Sequence, residues 1–186
     1  MIIGYFGNVR QGKTYSAMIE LYKLYKKGYI IYSNTWLAFP YRILTREYLL
    51  SIIEDDKDIP DNCVHFIDEA HMFGLDSRGS LSKENKLMSY YLLQTGKMGA
   101  STDYGLILLF TSQYIHQIDR RLRSVIDIGI ECEKVDYKGN KYFRQHIHVY
   151  KGSKSFSYSK IIKGTKENYA LYDTRKRIAY KKKVKT

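Results

Sequence analysis

The sequence predicts an α/β fold, with a mainly parallel sheet between helices and antiparallel strands added at the C-terminal side. Three observations carry this reading. Apolar runs alternate with amphipathic stretches through the front two thirds of the chain, giving four strand–helix repeats. The apolar runs MIIGYF (1–6), CVHFI (63–67) and LILLFTS (106–112) suit buried strands. From Val125 the pattern changes, and Ile126, Ile128, Ile130 and Cys132 alternate with Asp127, Gly129 and Glu131, which marks a half-buried strand.

Each element has its own signal. After the first strand and a turn over Gly7–Gly12, residues 13–27 place Tyr15, Met18, Ile19, Tyr22 and Tyr25 at helical spacing, with Gly28 where a C-cap would sit. Residues 29–34 (YIIYSN) read as a second strand. Thr45 is an N-cap residue for a short helix carrying Tyr48 to Ile53. The third strand, 63–67, ends at Asp68-Glu69. The polar stretch 74–82 predicts a mobile loop, and Ser82 can cap a helix over about 83–97. The strongest strand, 105–112, leads to Gln113 and a helix over 116–124. A turn at 136–141 and alternation over 142–150 predict a hairpin, with a further strand over 156–162. The expected layout is therefore one domain over 1–173, with a core to residue 125 and an antiparallel extension over 126–165, followed by a tail over 174–186.

Composition narrows the partners. The net charge is +12, and the tail supplies +7 of it through Arg175, Lys176, Arg177, Lys181, Lys182, Lys183 and Lys185. Such a balance favours polyphosphate partners over acidic proteins, although a tail of this kind also serves solubility alone. No run of about 18 apolar residues occurs and the N-terminus lacks the features of a signal peptide, so a cytoplasmic protein without a transmembrane segment is expected. Cys63 and Cys132 both fall in apolar strands and are expected to be buried thiols. His146 and His148 share a strand face with no third ligand nearby, which argues against a metal site there.

The chemistry begins at Gly7-Asn8-Val9-Arg10-Gln11-Gly12-Lys13-Thr14, which fits G-x-x-x-x-G-K-[ST] at every fixed position. Glycines let the backbone turn tightly beside phosphates, backbone N–H groups converge on the anion, and the following helix directs its positive end there. ATP, or a similar nucleoside triphosphate, is the expected ligand, with Lys13 on the β- and γ-phosphates and Thr14 on Mg²⁺. Asp68 and Glu69 close a buried strand at its carboxyl end, where open α/β sheets bind ligands. Asp68 can serve the Mg²⁺ shell, directly or through water, and Glu69 can act as general base on water. Gln113, at the end of another strand, can orient that water. In Asp119-Arg120-Arg121-Leu122-Arg123, Ile118, Leu122 and Val125 are spaced to face the core, so Arg121 and Arg123 are expected to project elsewhere, where one of them could act on a neighbour's γ-phosphate.

These stations, in this order, resemble the FtsK–HerA superfamily of P-loop ATPases. The likeness is nearest to small viral genome-packaging ATPases and to the Zot-like assembly proteins of filamentous phages. It is carried by GNVRQGKT (7–14), VHFIDEAH (64–71), LILLFTSQ (106–113) and QIDRRLR (117–123), with a weaker echo in YALYDTRKR (169–177). The resemblance implies a RecA-like core with an extra strand between the two strands bearing the site. It also implies a ring, often a hexamer, with an arginine finger acting between subunits and ATP-driven movement of double-stranded DNA. Zot-like proteins usually carry a transmembrane helix and FtsK proteins a winged-helix module, and neither is visible here, so a minimal packaging motor is the preferred expectation. Capsid or membrane assembly proteins are further expected partners. A Zot-like extrusion ATPase working with a membrane partner and a small nucleotide kinase are the alternatives. A non-hydrolysing switch conflicts with the carboxylate pair.

Overall fold

In the computed structural model the described residues are 1–54, 59–73, 106–151 and 154–173, together with Leu75, Leu87, Tyr90, Tyr91 and Gln94. Strand β1 (Ile2–Phe6) leads through a loop into helix α1 (Lys13–Lys26), followed by β2 (Ile30–Ser33), β3 (Arg42–Ile43) and α2 (Arg46–Glu54). Next come β4 (Cys63–Ile67), a 3-10 turn (Ala70–Met72), β5 (Ile107–Ser112), a second 3-10 turn (Ile115–Gln117) and α3 (Arg120–Arg123). The strands β6 (Ile128–Tyr137), β7 (Asn140–Lys151) and β8 (Lys154–Lys163) precede the short α4 (Lys166–Tyr169).

The described strands form one sheet in the order β3-β2-β4-β5-β1-β6-β7-β8. Every pairing from β3 across to β6 is parallel. The last two pairings, β6 with β7 and β7 with β8, are antiparallel. β6 therefore belongs to both parts, joining β1 on one side and opening a ribbon on the other. β5 lies between β1 and β4, so the strand that feeds the glycine loop and the strand that ends in the carboxylates are not neighbours.

Strand periodicity divides the core into two layers. Ile2, Phe6, Ile67, Leu108 and Phe110 face one way and pack with Leu49 and Ile52 of α2 and Leu122 of α3. Ile3, Tyr5, Val64, Phe66 and Leu109 face the other and pack with Ala17, Met18 and Leu21 of α1. Central strands clothed on both faces need apolar residues at successive positions, which is why these runs are unbroken. Cys63 and Cys132 are free and buried.

Local chemistry sets the boundaries. α1 ends at Gly28 in the left-handed region (φ 89°), whose N–H bonds the Tyr25 carbonyl while that of Tyr29 bonds the Leu24 carbonyl. This double closure satisfies two end carbonyls, and it needs a residue without Cβ strain. Thr45 caps α2 by accepting from the Tyr48 N–H at 3.0 Å. The β6–β7 turn is tighter than the 136–141 expected. It is only Lys138 and Gly139, both at positive φ (48° and 73°), as a two-residue hairpin turn requires.

The expected helix over 116–124 is broken in two. Ile118 is extended, and Asp119 caps α3 by accepting from the Arg121 N–H at 2.8 Å. An aspartate that bonds the backbone ahead of it starts a new helix rather than continuing an old one. Ile118 and Leu122 are buried as expected, and Val125 packs against the same cluster. β3 was not foreseen, since two residues carry no period. The loop expected at 74–82 and the helix expected at 83–97 fall almost wholly outside the described residues, and the tail at 174–186 does so entirely.

Candidate nucleotide site

The site begins where β1 runs out. Gly7 (φ 136°) bonds the Gln113 carbonyl through its N–H at 3.1 Å, which ties the loop to the end of β5. Arg10 (φ 64°) and Gly12 (φ 89°) are left-handed, and the chain wraps before entering α1. Gly12 has a second reason to be glycine, because a Cβ there would stand 2.1 Å from the Phe143 ring. Lys13 is almost fully buried, and its ammonium bonds the Asn8 carbonyl at 3.1 Å across the loop. A buried ammonium behind a glycine-bearing turn at a helix N-terminus is an arrangement suited to holding an anion. Val9 at the loop tip is exposed, and the Gln11 side chain accepts from the Lys134 N–H at 2.7 Å, which pins the loop to β6.

Thr14 opens the helix toward the carboxylates. Its hydroxyl donates to Asp68 Oδ1 at 3.0 Å, and Thr111 on the intervening β5 donates to the same oxygen at 2.7 Å. Asn34, just past β2, clamps the Asp68 backbone from both sides. It donates to the Asp68 carbonyl at 2.9 Å and accepts from the Asp68 N–H at 2.7 Å. Burial pushes the Asp68 carboxyl above its usual range, the Thr111 and Thr14 hydroxyls pull it back, and neighbouring Glu69 raises it further. A carboxylate held out of water beside a threonine hydroxyl is a poor place for a lone negative charge and a good one for a hard divalent cation. Thr14 and Asp68 thus fit Mg²⁺ as a donor set.

Glu69 leaves the strand in the left-handed region (φ 51°). Its N–H bonds Thr111 Oγ1 at 2.9 Å. Glu69 Oε2 is buried without a hydrogen-bond partner among the described residues, and His71 Nδ1 lies 3.5 Å from it. The Ser112 hydroxyl lies 3.3 Å from the Tyr114 carbonyl and 3.4 Å from His71 Nδ1. His71 Nδ1 thus stands between the Ser112 hydroxyl and the Glu69 carboxylate.

The expected residues do not all converge. Lys13, Thr14 and Glu69 line one cavity of about 520 Å³, and Asp68 stands behind Thr14. Gln113 is half-buried and lines a neighbouring cavity of about 670 Å³ with Gly7, Asn8 and Gln11, on the other side of the loop. Arg121 and Arg123 line neither cavity. Arg121 is exposed, while Arg123 is half-buried with its Nε lacking a hydrogen-bond partner among the described residues. Sequence reasoning missed Asn34, Thr111 and His71. Only His71 carried a local signal, two residues beyond the carboxylate pair; the others are joined to the site by strand pairing.

No protein-family model matches the chain, and no curated protein matches it. Solved structures do. The N-terminal domain of zonular occludens toxin from Neisseria meningitidis superposes with a TM-score of 0.61 at 17% identity, over 92% of this chain and 98% of that one. The DNA-packaging ATPase of Sulfolobus turreted icosahedral virus superposes at 0.51 and 15% identity, over 84% and 96%. The genome-packaging NTPase of Sulfolobus turreted icosahedral virus 2, solved with the ATP analogue AMPPCP, gives 0.51 at 13% identity, over 84% and 96%. The chain has the fold of these P-loop NTPases, including the mostly parallel sheet and its antiparallel C-terminal strands. No helix among the described residues is long and apolar enough to cross a membrane.

Proposed function

We propose that the chain is an ATP-hydrolysing motor that moves double-stranded DNA, with viral genome packaging as its setting. The observation that carries the hydrolytic part is the shared hydrogen bonding of Asp68 by Thr14 and Thr111, beside a buried Lys13 and a Glu69 with an unpartnered carboxylate oxygen. Lys13 and the loop amides bind the phosphates. Thr14 and Asp68 would hold Mg²⁺, which when bound offsets phosphate charge. Glu69 takes a proton from water as the water oxygen attacks the γ-phosphorus and ADP departs. Gln113, which lines the neighbouring cavity, is the candidate to orient that water.

Arg121 and Arg123 line neither cavity of their own chain, which suits a finger directed at a neighbouring subunit in a ring. DNA binding would rest on phosphate contacts, without sequence preference, and weaken steeply with salt. The likeness to packaging ATPases supports this setting. The likeness to the zonular occludens toxin domain, matched over 98% of its length, supports a second reading, an assembly or extrusion ATPase acting with a membrane partner.

One experiment separates them: ATP hydrolysis with and without double-stranded DNA at low salt, in wild type and Glu69→Gln. The motor reading expects stimulation by DNA and a loss of about 10²- to 10⁴-fold in Glu69→Gln with nucleotide binding kept. Hydrolysis indifferent to DNA removes the motor and leaves the assembly reading. Glu69→Gln turning over at the wild-type rate removes Glu69 as the base.

A further inference from the structure

The cavity over the glycine loop has two kinds of wall. One is the cradle itself, Gly12, Lys13 and Thr14, with Glu69 beside it. The other is aromatic and belongs to the C-terminal part of the chain: Phe143 of β7, Tyr169 of α4 and Tyr172 beyond it. Its volume of about 520 Å³ falls within the ~300–1,000 Å³ of small-molecule sites. Polyphosphate alone has no use for the second wall.

Tyr15 of α1 also lines the cavity and joins two rings of that wall in a tilted cluster. Tyr15, the residue after Thr14, has Phe143 at 4.6 Å and Tyr169 at 4.7 Å from its ring centre. Tyr15 and Phe143 are only 1% and 4% exposed, so their faces are already used. Tyr169 is 38% exposed and borders the cavity, so it is the member of the cluster with surface to offer a ligand.

Its position is fixed in advance. The Tyr15 hydroxyl donates to the Lys163 carbonyl at 2.9 Å and accepts from the Thr165 N–H at 3.1 Å and from Asn168 Nδ2 at 3.2 Å. Thr165 in turn caps α4 by accepting from the Asn168 N–H at 3.3 Å. The turn that presents Tyr169 is thus fastened to the helix that presents the phosphate cradle, and a ligand spanning both meets a rigid platform with little ordering left to do.

We infer that Tyr169, backed by Tyr15 and Phe143, is the platform on which the base of a nucleoside 5′-triphosphate stacks while its phosphates lie on Lys13 and Thr14. This rests on the phosphate site proposed above. An aromatic base offers a π-face to a phenol ring whatever its edge groups, so the contact adds affinity without demanding one base.

The test is titration calorimetry on the full chain with ATP and with inorganic tripolyphosphate, comparing wild type, Tyr169→Ala and Tyr169→Phe. The platform predicts that Tyr169→Ala binds ATP about tenfold more weakly. It predicts that Tyr169→Phe binds ATP like wild type, and that tripolyphosphate binding is equal in all three. If Tyr169→Ala keeps wild-type ATP affinity while tripolyphosphate still binds, the platform is wrong and the phosphate site stands. If Tyr169→Ala weakens both ligands equally, Tyr169 acts only by holding the fold, which also overturns the platform. If wild type binds neither ligand, the phosphate site fails and the platform with it.

Discussion

The two ends of the sheet differ in what they enclose. β1, β4 and β5 are buried at every position, whereas β8, at the far edge, is exposed at all but Ile162. The central strands are wedged between two apolar layers, and each ends in a residue of the candidate site: Gly7 after β1, Asp68 after β4, Gln113 after β5. The outer ribbon has one clothed face along β7 and then open solvent, with Lys154, Lys160 and Lys163 blunting the free edge. Placement precise enough for chemistry thus comes from strands packed on both faces, while the ribbon supplies walls such as Phe143.

That contrast can be broken or sharpened at graded cost. The largest effect is expected from Lys13→Ala, which removes the buried ammonium of the cradle. ATP binding and turnover should fall by at least about 100-fold, measured by calorimetry and phosphate release. Retained binding would mean that the loop amides alone hold the phosphates. Next, Leu109→Ala, in a fully buried position of β5, should cost about 2–5 kcal/mol in denaturant unfolding. A cost under ~1 kcal/mol would show that the centre of the sheet is as forgiving as its edge.

His65 on β4 gives an effect that depends on pH. Burial holds its imidazole down to about 3, and it sits against Tyr91 Oη at 2.5 Å. The folded pKa lies below the unfolded value of ~6.5, so the unfolded chain binds the extra proton. Stability is intact above pH ~6.5 and lost as pH falls toward 3, by up to ~1.4 kcal/mol per unit. Melting temperature measured downward from about pH 7 should decline, and His65→Gln should flatten the decline; an unchanged slope would place its source elsewhere.

Asp68 works in the opposite sense. Its carboxyl is raised, so its ionised form costs stability at neutral pH, and this cost is relieved as pH falls through the raised value. Asp68→Asn should lose hydrolysis and melt about 2–4 °C higher for each kcal/mol relieved. A lower melting point would mean that the bonds from Thr14 and Thr111 need the charge. The smallest effect belongs to the edge: Ile161→Ser, at 61% exposure, should stay within about 0.5 kcal/mol of wild type.

The residues that announced themselves in the sequence did so because their identity reports their own backbone. Gly12 must tolerate a left-handed turn, Thr45 must cap, and an unbroken run such as ILLFTS must be covered on both faces. The Asp68-Glu69 pair was legible for the same reason, as polar residues at the end of an apolar strand. What stayed hidden depends on pairing across the sheet. Nothing local to Thr111 says that β5 will lie between β1 and β4 and deliver its hydroxyl to Asp68. Asn34 likewise matters only because β2 pairs with β4. The break at Ile118–Asp119 was within reach, since aspartate ahead of a basic turn is a strong N-cap, but helical spacing of the apolar residues outweighed it.

A single phenol oxygen, that of Tyr15, spends its donor and two acceptor sites on three points of the segment 163–168. Shortly beyond, Ala38 bonds the Leu171 carbonyl, and Leu37 bridges Tyr172. A pull on the chain past Asp173 would therefore be borne first by the bridge to Leu37 and then by the rivet at Tyr15, one residue from Thr14. A load on that end would reach α1 one residue from Thr14.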